Sequence, residues 1–151
     1  MEGRGMKEET IKKVVRYLED HYNATLATCC EGKPRAATVS YVNEGLKLYF
    51  GTSESSMKVR DIRANPSVAL TIYKDYSNLF ETKGLEYVGD AEIVENQDEI
   101  QMVFGLMIAK FSRSFESVDE KALETWSRYF EEPGKFVVIR VIPKWIRYLD
   151  A

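Results

Sequence analysis

Ala24-Thr25-Leu26-Ala27-Thr28-Cys29-Cys30-Glu31-Gly32-Lys33-Pro34-Arg35-Ala36-Ala37-Thr38-Val39-Ser40-Tyr41-Val42 is the stretch that decides the fold. Ala24 to Cys30 reads as a strand of period two, and Glu31-Gly32-Lys33 reads as a hairpin turn. Pro34 to Val42 is the returning strand. A proline at its first position is tolerated, because that residue need not donate to the ladder. Val39, Tyr41 and the small residues Ala37 and Thr38 suit a pleated surface.

The same rhythm continues outward. Asn43-Glu44-Gly45 is a second turn and Leu46 to Gly51 a third strand. Ser67 to Tyr73, with Val68, Leu70 and Ile72 alternating, is a fourth strand, and Gly84 to Val94 a fifth. Phe136 to Ile142 is a sixth, and after Pro143 the segment Trp145 to Leu149 extends it or starts a seventh. Helices interrupt this series. Ile11, Val14, Val15, Leu18 and Tyr22 make one apolar stripe before the first strand. Met57 to Ala64, with Val59 and Ile62 on one side, is a short helix stopped by Asn65-Pro66. Ile100, Val103, Phe104, Met107, Ile108 and Phe111 form a later stripe, widened by Met102 and Leu106. A further helix is expected over Val118 to Phe130, with Ala122, Leu123, Trp126 and Phe130 inward, ended by Pro133-Gly134. The connections among the early strands are short, which favours an antiparallel sheet or barrel over a doubly wound parallel sheet. The expected fold is mostly β with helices (α+β): a small barrel of six or seven antiparallel strands. It forms a single domain over residues 1–151, with residues 1–9 a flexible lead.

Composition bounds the function. The chain has 151 residues with 44% hydrophobic and 30% charged, which is ordinary for a globular domain. A formal net charge of −3 argues against a general nucleic-acid binder. No run approaches the roughly 18 apolar residues of a membrane span. Met1 to Glu9 is polar and carries acids, unlike a signal or transit peptide, so a cytoplasmic protein is expected. With one histidine and two adjacent cysteines, Cys29 and Cys30, no metal site is expected. His21 reads as a surface or helix-end residue, and the cysteines as plain strand or turn residues.

The segment that carries chemistry is Gly51-Thr52-Ser53-Glu54-Ser55-Ser56-Met57-Lys58, which joins a strand end to a helix start. The first turn of a helix offers free N–H groups and the positive end of the macrodipole. Thr52, Ser53, Ser55 and Ser56 add hydroxyls, Lys58 a compact positive charge, and Gly51 room for close backbone approach. Serine before a helix is equally the usual N-cap, and Glu54 opposes an anion unless it points outward. Alone, the segment reads as either.

Its surroundings add a resemblance. Ala24-Thr25-Leu26-Ala27-Thr28, Gly32-Lys33-Pro34-Arg35, Val39-Ser40-Tyr41-Val42, Leu48-Tyr49-Phe50-Gly51-Thr52-Ser53, Ser56-Met57-Lys58-Val59-Arg60 and Asn65-Pro66-Ser67-Val68-Ala69-Leu70, in this order, resemble the pyridoxamine 5′-phosphate oxidase-like family of FMN-binding split β-barrels. The closing Phe136 to Tyr148, with Pro143 and Trp145, is similar to the family's last strands. The resemblance implies a homodimer with FMN at the subunit interface, acting as an oxidoreductase on a small molecule. It implies that Thr52, Ser53, Ser56, Met57 and Lys58 surround the FMN phosphate, with Arg35 contributing a basic group. Thr38, Val39 and Ser40 would line the ring, with backbone groups of Val39 and Ser40 at its edge. Trp145 would cover the cofactor from the partner subunit or close the core. Two departures bear on substrate. Met57 stands where the vitamin B6 oxidases often carry arginine, and the ending Lys144 to Ala151 is not their arginine-rich segment. Other branches reduce flavins, use the deazaflavin F420 or bind haem, so a non-catalytic ligand-binding or sensor module holding haem or F420 is the alternative. Catalytic residues are not identified. Trp126, Tyr129 and Phe130 read as core or as stacking groups, and Tyr73, Lys74 and Tyr76 as groups projecting toward the partner.

Overall fold

The computed structural model describes residues 6–75, 78–116, 120–121, 124 and 135–150. Helix α1 (Glu8–Asp20) leads into β1 (Asn23–Cys30), β2 (Lys33–Glu44) and β3 (Lys47–Ser53). Helix α2 (Met57–Ala64), β4 (Ser67–Tyr73), a 3-10 turn (Leu79–Glu81) and β5 (Lys83–Ile93) follow, then α3 (Gln97–Glu116) and β6 (Phe136–Asp150). Of the helix expected over Val118 to Phe130, only Glu120, Lys121 and Glu124 are described, and they are helical. Ala122, Leu123, Trp126, Tyr129, Phe130, Pro133, Gly134 and Tyr76 lie outside the described residues.

The six strands close an antiparallel barrel in the order β1-β2-β3-β6-β5-β4, with β4 returning to β1. Cys30 pairs with Lys33, so the first turn has two central residues, Glu31 and Gly32, at φ 53° and 75°. Two positive φ values match the right-handed twist of the flanking strands, and Gly32 adopts its value freely. The expected seventh strand is the far half of β6. A bulge sets Val88 opposite Trp145 and Gly89 opposite Pro143, leaving Lys144 as the extra residue. The bulge bends the ribbon without ending it. Gly89 is required there, because a Cβ would run into the Ile142 carbonyl.

Inward residues of every strand form the core, among them Leu26, Tyr41, Leu48, Phe50, Leu70, Tyr87 and Ile139. Helices cover both barrel ends. At one end α1 buries Val14, Tyr17 and Leu18, and the Tyr17 hydroxyl donates to the Ile72 carbonyl at 2.9 Å. Tyr22, expected on the α1 stripe, is instead 48% exposed, because the helix stops at Asp20 and His21 is extended. The His21 Nδ1 donates to the Tyr17 carbonyl at 2.8 Å, closing the helix end. At the other end α2 inserts Val59 and Ile62.

Outside the barrel α3 makes a second, smaller core. Val103 and Met107 pack on Val42, Tyr49 and Val138. Arg140 clamps Glu99 at 2.7 and 2.9 Å and reaches Glu92 at 2.7 Å, and Tyr49 donates to Glu99 at 2.8 Å. Ile108, read as part of the buried stripe, is 58% exposed. Lys110 is the unexpected member of this face. Its Nζ donates to the Leu18 and Tyr41 carbonyls, both at 3.1 Å, and lies 4.0 Å from the Tyr41 ring centre. It thereby ties α3 to the last turn of α1, where a cation is favoured. Burial pushes its ammonium down to about 8, opposed by Glu19 and Asp20. No helix among the described residues is long and apolar enough to cross a membrane.

Candidate functional site

The hydroxyl-rich segment is a strand end followed by a capped helix. Thr52 and Ser53 still belong to β3, paired with Val137 and Phe136. The expected end of that strand at Gly51 is therefore two residues short. Ser56 is the N-cap of α2, and its Oγ accepts from the Val59 amide at 3.3 Å. The Ser56 carbonyl accepts from the Arg60 amide, so Met57 and Lys58 carry the first-turn amides left without an intrahelical partner. The Thr52 hydroxyl donates to Ser56 Oγ at 3.3 Å, and Ser53 and Ser55 share a hydrogen bond at 3.0 Å. Glu54 is drawn off by Arg63 at 3.3 Å, which neutralises the carboxylate nearest the helix start. Lys58 is half-buried and makes no ion pair among the described residues. Met57 is 41% exposed. The cradle therefore combines open amides, hydroxyls and an uncommitted ammonium, a constellation suited to a phosphate.

Gly51 serves packing in this structure. The space above it holds the Phe136 ring, into which a Cβ would run.

Beside the cradle runs an open backbone edge. β2 pairs with β1 over Lys33 to Ser40 but with β3 only over Tyr41 to Glu44. From Lys33 to Ser40 its other edge has no strand partner among the described residues. The Tyr41 amide donates to the Tyr22 carbonyl, toward β1. Alternation then turns the backbone groups of Ser40, Thr38 and Ala36 to the open edge and those of Val39 to β1. The Val39 side chain is buried in the core, whereas Thr38 and Ser40 are exposed.

Arg35 points to the same barrel end as α2. Its Nε donates to Asp61 Oδ2 at 2.9 Å, and the Thr28 hydroxyl donates to the same oxygen at 2.8 Å. Thr28 and Arg35 together hold the Asp61 carboxyl below its ordinary value, against burial, which pushes it up. Sequence reading did not single out Asp61. Its signal was a carboxylate beside Ile62 on the inward side of a short helix.

Trp145 does not close the core. Ile146 and Tyr148 turn inward, and Trp145 stands outward at 48% exposure. The register shows what it stands beside. Ala36, Ala27, Ala69, Val88 and Trp145 lie in one row across β2, β1, β4, β5 and β6. Thr38, Thr25, Thr71, Glu86 and Arg147 form the next row. Over β2, β1 and β4 this outer face carries only alanines and threonines, with an indole at its far margin on β6. Tyr73 flanks it, 41% exposed, with its ring over Gly84.

The model of the pyridoxamine 5′-phosphate oxidase family matches residues 10–150. General stress protein 26 of Bacillus subtilis (strain 168) is 27% identical over 147 residues, 97% of this chain and 93% of that protein. Among solved structures, general stress protein 26 of Bacillus anthracis str. Sterne superposes with a TM-score of 0.67 at 22% identity, covering 93% of this chain and 94% of that one. HutZ, the haem storage protein of Vibrio cholerae, gives 0.68 at 18% identity, covering 91% and 92%. An FAD-binding protein of Mesorhizobium loti gives 0.65 at 15% identity, covering 93% and 92%. At such identities the structures attest the shared barrel, and the family match attests kinship. The chain belongs to the pyridoxamine 5′-phosphate oxidase family.

Proposed function

We propose that this protein binds FMN at the start of α2 and along the open edge of β2, between two copies of the chain, and acts as an oxidoreductase on a small molecule. The observation that carries the reading is the uncommitted Lys58 on a capped helix start whose nearby carboxylate, Glu54, is taken by Arg63. The amides of Met57 and Lys58 and the hydroxyls of Thr52, Ser53 and Ser56 would hold the phosphate. Arg35 would lend its remaining guanidinium N–H groups, since only its Nε is bound to Asp61. Backbone groups of Ser40, Thr38 and Ala36 would meet the polar edge of the ring, over side chains small enough to let a flat ring approach. FMN, when bound, carries electrons or hydride. The chain's own task is to hold it, orient it and exclude water.

The outer face supports the second copy. By register, Ala36 and Trp145 stand at the two margins of one row that crosses five of the six strands. A face of alanines and threonines suits close packing against its own copy.

The haem reading is favoured by the likeness to a haem storage protein. Haem wants an axial ligand, and the one histidine, His21, holds its Nδ1 hydrogen on the Tyr17 carbonyl, which leaves Nε2 to ligate. His21 lies at the α1 end of the barrel, away from the start of α2, and this favours the flavin at the α2 cradle. F420 also carries a phosphate and would use the same cradle. The visible spectrum of the purified protein separates these readings. Flavin bands that bleach with NADH, NADPH or reduced F420 support the oxidoreductase. Flavin that stays oxidised supports a binding module. A Soret band, or a colourless protein that takes up no added FMN, overturns the proposal.

A further inference from the structure

The mouth of the barrel under α1 holds a charged cavity that none of the residues assigned to the flavin lines, so what it binds is independent of the flavin reading. The sequence builds this cavity from two directions. Lys74, Lys83 and Asp150 each stand two positions from an inward residue, Ile72, Leu85 and Tyr148 respectively. They continue the inward series past the core and crown the mouth, away from the outer face. Lys13, Arg16, Tyr17 and Asp20 lie at i, i+3, i+4 and i+7 of α1, one stripe of the helix that covers this end. The cavity measures about 660 Å³, within the roughly 300–1,000 Å³ of small-molecule sites. Its aromatic side is fixed. The Tyr17 hydroxyl donates to the Ile72 carbonyl, His21 stacks on the Tyr17 ring at 3.9 Å, and Tyr148 meets its edge at 5.7 Å.

Four cations line the cavity against two carboxylates, in a chain of net charge −3. All four are exposed, so a ligand reaches them, and none makes an ion pair among the described residues. The carboxylates do not quench them. Asp150 is the cross-strand partner of Lys83 yet forms no ion pair with it, and Asp20 also acts on Lys110 of α3. The cations stand instead in two like-charged pairs. Lys13 and Arg16 are three residues apart on the helix, about 5–6 Å between Cβ atoms. Lys74 and Lys83 flank the last pair of the β4–β5 ladder, Tyr73 with Gly84, and so are neighbours too. Like charges at either spacing repel and weaken the fold. An anionic group set between the members of each pair reverses that sign.

We propose that the α1 mouth binds a diphosphate group, as carried by inorganic pyrophosphate or by a nucleotide. One phosphate lies on Lys13 and Arg16, where the planar guanidinium matches two oxygens, and the other on the point charges of Lys74 and Lys83. A single phosphate reaches one pair and leaves the other repelling.

The test is calorimetric titration of the full chain at pH 8 and fixed ionic strength, with pyrophosphate, ADP and inorganic phosphate. Pyrophosphate should saturate one site per chain and bind at least about tenfold more tightly than phosphate. Arg16→Gln and Lys83→Gln, one from each wall and both at exposed side chains, should each weaken pyrophosphate severalfold and shrink its lead over phosphate. Lys58→Ala, which disables the α2 cradle, should leave pyrophosphate affinity unchanged. ADP binding as tightly as pyrophosphate or more so assigns a nucleotide as the source, and weaker ADP binding assigns the free diphosphate; either supports the site. Three outcomes overturn the proposal: no saturable pyrophosphate binding; pyrophosphate no tighter than phosphate; or affinity kept in Arg16→Gln and Lys83→Gln but lost in Lys58→Ala, which assigns the anion to the α2 cradle.

Discussion

Lys110 makes the protein gain stability as pH rises from about 8 to 10. Its ammonium is held at about 8 by burial, against an ordinary 10.5. Below 8 the lysine is charged whether the chain is folded or not. Between 8 and 10.5 the folded chain has released this proton and the unfolded chain still holds it. The unfolded state then binds more protons, so stability increases with pH. At 1.36 kcal/mol per pH unit, the interval sets a ceiling of about 3 kcal/mol. Lys110 is only half-buried, and solvent screening reduces this to about 1–2 kcal/mol. The assay is urea unfolding at pH 7 and pH 9.5, for wild type and for Lys110→Met. Comparing the two isolates Lys110 from the phenols. Burial pushes Tyr17 up to about 12 and raises Tyr41 as well, so their contribution is present below pH 10 and lost above it. Wild type should gain about 1–2 kcal/mol between the two pH values relative to Lys110→Met. An equal response in both proteins, or a relative loss in wild type, refutes the reasoning.

Other expectations follow from particular contacts. Gly51→Ala places a methyl in the Phe136 ring, and should lower stability by about 1–3 kcal/mol in chemical unfolding. An unchanged midpoint would show that Phe136 has another place to go. Ser56→Ala removes the cap of α2 and should cost about 1 kcal/mol in stability while weakening FMN. A stability loss with FMN affinity unchanged would separate the cap from the site. On the proposed dimer, Trp145→Ala should shift the equilibrium toward monomer by about tenfold or more in sedimentation, because an exposed indole that a second copy buries acts as an anchor. A dimer of unaltered affinity would put the interface elsewhere.

The barrel was largely legible in the sequence. Period-two alternation from Ala24 to Thr28, from Arg35 to Tyr41 and from Val68 to Ile72 survives in the structure as the less exposed positions on one face. Its ends were legible only in part. Thr52 and Ser53 are polar and read as a loop, yet backbone pairing with β6 keeps them in the strand. Pro143 suggested a break, but a bulge absorbs it. Tyr17 went unnoticed because a phenol does not advertise burial, and its hydroxyl finds the Ile72 carbonyl 55 residues away. The candidate site divides in the same way. The helix start at Ser56 to Lys58 is local and could be read directly. The open edge of β2 could not, since it follows from where β3 stops pairing. Asp61 with Thr28 and Arg35, and Lys110 with Leu18 and Tyr41, join segments distant in sequence, and no local pattern announces them.

The central claim is that the start of α2 holds a flavin phosphate. Its most direct test is the FMN dissociation constant of wild type against Lys58→Ala, by quenching of flavin fluorescence. Loss of one charge-assisted contact to phosphate should weaken binding by about tenfold or more, with the thermal midpoint of the apoprotein unchanged. Equal affinity in the two proteins would contradict the account.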